Sequence, residues 1–241
     1  MTGTQDGIAN PGQIILDLSY RFIPMDQPQR GSKKVSEAIV PKVDFEDGVI
    51  LPGHHREIRT NNELAQLDVS FGVTPRFALT MSIPFLNNRL HEHFDEVGEP
   101  GEFFTRQDGT SGFGDIRLIG KYALWVSTKH LLVGGLGVKT PTGEFKLLDS
   151  EGAINEPTIM PGTGSWDAIV SAYYDYQVMP HQLDVFLSSS YQINTENDLN
   201  YKFGNTLLVN AGTSYLIAVK NPATISLQVN MRHAPRDEFN G

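Results

Sequence analysis

Two alternating stretches joined by a turn of a few residues constrain this chain more than anything else in it. Between Gly112 and Phe145 it reads GFGDIRLIGKYALW, a short polar break, then HLLVGGLGVKTPTGEF. In the first arm Ile116, Leu118, Tyr122 and Leu124 occupy alternate positions with Asp115, Arg117 and Lys121 interleaved, which is the period of a strand with one apolar and one wet face. The second arm repeats the scheme with Leu132, Leu136 and Val138, and only Val126 to Lys129 lie between the two. So short a connection makes the arms antiparallel neighbours in a β-hairpin.

The rest of the chain repeats the unit. Strand patterns fall at Gln13–Phe22, Leu64–Val73, Phe77–Phe85, Ser165–Val178, Leu183–Gln192, Asn205–Tyr215 and Thr224–Arg232, making about nine with the hairpin. Turns at Thr74-Pro75-Arg76, Met179-Pro180-His181 and Lys220-Asn221-Pro222 are tight. The segments Ile23–Glu57, Leu86–Ser111, Thr140–Gly164, Asn194–Lys202 and His233–Gly241 read as loops, being polar and rich in breakers; the first holds basic Arg30-Gly31-Ser32-Lys33-Lys34 and acidic Asp44-Phe45-Glu46-Asp47. Short and long connections therefore alternate, as in an up-and-down meander with short periplasmic turns and long extracellular loops.

Apolar-face aromatics fall into two groups. Phe71, Phe77, Tyr122, Tyr174, Tyr176 and Tyr215 sit near the short-turn rim, and Tyr20, Phe22, Phe85, Trp166 and Tyr191 near the other. Two such girdles mark the two interfaces of a membrane. The expected fold is all-β: an antiparallel up-and-down transmembrane β-barrel, one domain over residues 1–241. Leu118, Leu136, Val170, Leu187, Val209 and Leu227 should point outward, and Arg117, Asp175, Ser188 and Asn210 inward. The alternative is a soluble ligand-binding or structural β-barrel or sandwich with the apolar face turned in.

Composition removes other classes. With no cysteine there is neither a disulfide framework nor a thiol nucleophile, and a net charge of −9 with scattered basic residues argues against nucleic acid. No apolar run approaches the roughly 18 residues of a membrane-spanning helix. The opening MTGTQDGIANPGQ has no secretory signal pattern; either the protein is intracellular or the sequence begins after a processed or truncated leader, and the strand pattern favours the second. Nine is also an odd count where bacterial single-chain barrels are even; the expectation is truncation at the C-terminus, about three strands short of twelve, with the first and ninth strands as free edges.

The face opposite the apolar one supplies the site candidates. Asp17, Arg21, Asp68, Asp115, Arg117 and Lys121 lie on it in the first half, and Lys139, Asp167, Asp175, Asp184 and Arg232 in the second, mixed with Ser, Asn, Gln and Gly. That mixture suits a wet lumen, where such residues tune what passes or simply pair and plug the space. Partners are then outer-membrane lipid and a small-molecule solute, with oligomeric state unread. His54-His55 and His91-Glu92-His93 could form a nitrogen-rich metal site if their loops met, but solvated loop histidines are the commoner case and no metal site is assigned. The acidic Asp95, Glu96, Glu99, Asp149 and Glu151 match no calcium loop. Ser188-Ser189-Ser190 lacks a glycine-flanked elbow and Gly162-Thr163-Gly164 lacks a phosphate-loop lysine, so no catalytic residue or cofactor is assigned.

Three pieces carry a resemblance. Gly112-Phe113-Gly114-Asp115 ahead of a strand, Val138-Lys139-Thr140-Pro141-Thr142-Gly143, and Gly162-Thr163-Gly164-Ser165-Trp166-Asp167 resemble the outer-membrane proteins of the meta-pathway of phenol degradation (MetA-type) family, in pattern from about Leu64 onward. The resemblance implies a Gram-negative outer-membrane β-barrel that helps small, often aromatic or hydrophobic, compounds across.

Overall fold

Alternation becomes one large sheet, with two small two-stranded ones, in the computed structural model, which describes residues 7–30, 33–98, 100–106, 108–218 and 223–240. The turn expected at Lys220-Asn221-Pro222, and Gly31, Ser32, Glu99 and Gly241, lie outside the described residues, as do the first six residues of the opening. The first half holds β1 (Ile14–Met25), a short pair β2 (Gln29–Arg30) and β3 (Lys33–Lys34), β4 (Ala38–Asp44), β5 (Val49–Thr74), β6 (Phe77–Asp95), β7 (Phe103–Thr105), β8 (Thr110–Gly112), β9 (Arg117–Val126) and β10 (His130–Lys139). After a loop with a 3-10 turn at Pro157–Ile159 come β11 (Asp167–Met179), β12 (Leu183–Ile193), β13 (Tyr201–Lys202), β14 (Thr206–Ala218), β15 (Ala223–His233) and β16 (Glu238–Phe239).

Nine strands pair in the order β1-β5-β6-β9-β10-β11-β12-β14-β15, each antiparallel to the next. The sheet curls into a half-barrel whose edges, β1 and β15, do not pair with each other, as the strand count from sequence expects.

Two expected loops are largely strand instead. β1 runs on to Met25, β4 pairs with the first half of β5, and β6 continues to Asp95 with β7 and β8 against it. β5 has 26 residues and β6 has 19. Both are longer than the about 9–11 residues that a tilted strand needs to cross a bilayer. In the far part of this hairpin the period of two is written in polar residues, which an apolar/polar test cannot see.

Burial is inverted relative to a soluble core. Leu136 and Leu227 are each 71% exposed and Leu118, Val170 and Leu187 face out beside them, while Ser188 and Asn210 are buried. Val209 is half-buried, as are Arg117 and Asp175 on the concave side. Both aromatic groups lie on the convex face, exposed at Phe71, Tyr122 and Tyr215 and again at Tyr20, Phe22, Phe85, Trp166 and Tyr191. Because Ile14 stands opposite Phe71, Tyr20 and Phe22 lie six and eight residues further along β1, about 20–27 Å at strand rise. That matches the height of about 25 Å expected of a lipid-facing band.

Glycines on the concave face of β10 make room for its neighbours. A Cβ on Gly137 would fall 2.5 Å from the Leu118 carbonyl oxygen and 2.7 Å from Ile119 Cγ1, and backbone cannot move aside cheaply. Gly137→Val should therefore lower stability by about 1–3 kcal/mol through overpacking, read as a shifted midpoint in urea-dependent refolding into lipid vesicles.

Candidate functional site

The three sequence pieces that carry the resemblance meet in space at the wall of the concave face. β10 ends at Lys139, which is 2% exposed, with its Nζ 3.0 Å from Asp115 Oδ2 and 2.9 Å from Asp167 Oδ2. Lys139 also donates to Thr163 Oγ1. Asp115 accepts the backbone N–H groups of Gly143 and Thr163, both at 2.9 Å. Asp167 accepts from Ser165 Oγ at 2.9 Å, Gln192 Nε2 at 2.8 Å and the Thr195 N–H at 3.1 Å. Every charge in this buried trio is paired, which is the condition for carrying charge at such depth.

The network folds the long β10–β11 connection back onto the sheet. Gly143 and Gly162 touch so closely that a Cβ on the first would lie 2.7 Å from Cα of the second, and Gly164 turns the chain at φ +73° against Phe145. Asn87 of β6 secures the loop by donating to the Pro161 carbonyl at 2.7 Å. These pieces are thus a structural strut as much as a lumen lining.

Other candidates fall into smaller sets. Arg117 lies among Asp115, Asp68 and Asp167, within electrostatic range of each. Asp17 stands opposite Asp68 in the β1/β5 register; Asp68 accepts from Gln66 at 2.8 and 3.0 Å and from Ser82, and Arg21 reaches the same Gln66 at 3.5 Å. Asp175 and Asp184 form a carboxylate pair on β11 and β12, with the Tyr173 hydroxyl donating to Asp175 at 3.4 Å. Lys121 is buried on the concave face of β9. Arg232 is exposed on the edge strand β15 and joins none of these sets.

The structure also assembles what the sequence left apart. His54, His55 and Glu57 on β5 stand beside His91, His93 and Asp95 on β6, with Glu57 directly opposite His93. Ring centroids of His55 and His93, and of His91 and His93, are 4.5 Å apart. Asp108 and Glu156 arrive from loops: Asp108 Oδ2 lies 3.5 Å from His93 Nε2, and Glu156 contacts His55 Nδ1. Asp95 is central, its Oδ1 2.8 Å from His54 Nδ1 and 2.7 Å from His55 Nε2, its Oδ2 3.6 Å from His93 Nε2.

Electrostatics in the cluster are strongly perturbed. Burial works against a charged His55, but the Asp95 and Glu156 carboxylates beside it prevail and push its pKa up to about 9. Burial, with His93 and His55 nearby, takes His91 down to about 4. Glu57 rises to about 7 through burial and the Glu156 charge. Asp95 is buried yet held well below the usual carboxylate range by the imidazoles of His55 and His93. The missed signal was spacing: His91, His93 and Asp95 share one face of a strand, as a period of two requires.

No curated protein matches the chain. The family described as MetA-pathway of phenol degradation matches residues 53–230, which include Asp115, Lys139, Thr163 and Asp167 of the strut, and the chain belongs to that family.

Proposed function

We propose that the protein is a non-enzymatic outer-membrane channel or diffusion facilitator for small solutes, with the concave face as the path. The observation that carries this reading is the inverted burial: Leu136 and its neighbours face out, while Asp68, Lys121, Lys139, Asp167 and Asn210 are buried on the concave side. A band of exposed leucines and valines between two aromatic girdles suits lipid, and a mixed-charge interior suits water. The two edge strands need partners in a bilayer, since lipid offers their backbone groups none. The family's name points to small aromatic or hydrophobic solutes as the class carried.

The test is solute uptake. Liposomes holding the folded protein should swell in small sugars and small phenolic solutes faster than protein-free liposomes. Planar-bilayer recordings should show conductance, and replacing Arg117 and Lys121 together by glutamine should move the reversal potential towards cation selectivity, because two positive charges leave the lumen. Folded protein that gives neither swelling nor conductance would end the channel reading.

A further inference from the structure

We propose that the histidine cluster at the far end of the β5–β6 hairpin binds a first-row divalent transition cation of the zinc class, held by His55, His93 and Asp95 with His54 and Asp108 beside them. The inference does not rest on the channel reading, because the cluster lies on the far part of the hairpin. Its first support is the donor set. His54, His55 and Asp95 place one ligand atom each within 4.8 Å of one another, and so do His93, Asp95 and Asp108. Imidazole with carboxylate suits zinc, copper, nickel or iron rather than calcium or magnesium, which prefer all-oxygen shells.

The second support is independent of composition. His93 is 2% exposed and neither of its ring nitrogens makes a hydrogen bond. His54 Nδ1 and His55 Nε2 close on Asp95 Oδ1 at 2.8 and 2.7 Å as ion pairs, whereas the nearest carboxylates to His93 Nε2, Asp108 and Asp95, stand off at 3.5 and 3.6 Å. A buried polar atom left unsatisfied costs about 1–3 kcal/mol, and a cation between His93 and these carboxylates would satisfy the ring. Ligands about 2.0–2.1 Å from a tetrahedral ion sit about 3.4 Å apart. Separations of 2.7 to 3.6 Å within the cluster bracket that value. A cavity of about 10 Å³ lined by His55, His93, Asp95, Asp108 and Glu156 gives room for one ion or water.

The groups behind these side chains hold them in orientation. Glu156 holds His55 Nδ1, leaving Nε2 turned to Asp95, which is how a carboxylate orients a ligating imidazole. Asp108 is itself fixed by the Ser150 N–H at 2.8 Å, and Asn155 donates to its carbonyl at 2.6 Å. A bound ion would therefore tie β5, β6 and the loops carrying Asp108 and Glu156 into one unit at the barrel's outer mouth.

The experiment uses the full chain folded in detergent micelles, stripped with chelator and titrated with zinc chloride by calorimetry, with cobalt absorption as a second readout. One equivalent should bind at about 1 µM or tighter. Cobalt should give the intense visible bands of a tetrahedral or five-coordinate nitrogen-oxygen site. His54→Ala, on the half-exposed rim, should keep the fold and weaken binding by at least about tenfold, since loss of even outer-shell partners costs that much. His93→Ala with Asp95→Asn should abolish it, and His181→Ala, in an exposed turn, should leave it unchanged. Wild-type protein that binds no zinc at this level overturns the proposal whatever the variants do, and so does binding that survives in folded His54→Ala or the double variant at wild-type strength.

Discussion

Replacing Lys139 by methionine is expected to cost the folded chain about 3–5 kcal/mol, the penalty for breaking a buried ion pair from one side. The ammonium stands between Asp115 at 3.0 Å and Asp167 at 2.9 Å, and both carboxylates are buried. Without it two like charges face each other with neutral donors as their direct partners and only the more distant Arg117 to offset them. The loss should appear as a lower midpoint in urea-dependent refolding into phospholipid vesicles. Adding Asp167→Asn in the same background should restore part of the stability, because one of the stranded charges is gone. A midpoint unmoved by Lys139→Met would show that the strut does not hold the β10–β11 connection.

Leu136→Arg should cost about 2–4 kcal/mol if the side chain lies near the bilayer midplane, measured in the same refolding titration. Leu136 points away from the concave face, 71% exposed, between Gly120 and Val170 on the neighbouring strands. In water an arginine there would be close to neutral, as surface substitutions usually are. The two environments thus differ by several kcal/mol at one residue. A change below about 0.5 kcal/mol would mean that this face is not in lipid.

The parity of the strands was legible locally. Leu118, Leu136, Val170, Leu187 and Leu227 are apolar at every second position and all face out, because a pleated strand gives each residue one of two sides with no help from tertiary context. The free edges followed from counting, and Asp115, Lys139 and Asp167 were picked out one by one as inward. Their convergence into one trio was not legible, since it depends on the β9–β10–β11 register and on the return of Thr163 along a loop of 27 residues that no period describes.

What the sequence by itself determined was the alternation, hence the fold class, the two faces and the aromatic girdles. These are properties of neighbours along the chain. What only the tertiary structure decided was which distant residues share a place. His55 and His93 are 38 positions apart and looked like solvated loop residues because polar strand carries no apolar stripe. The β5–β6 pairing put them side by side, and loops bearing Asp108 and Glu156 then closed over them. Burial of His55, His93 and Asp95 comes from contacts between segments far apart in sequence, and burial of this kind is a property of the packed sheet rather than of any stretch of chain.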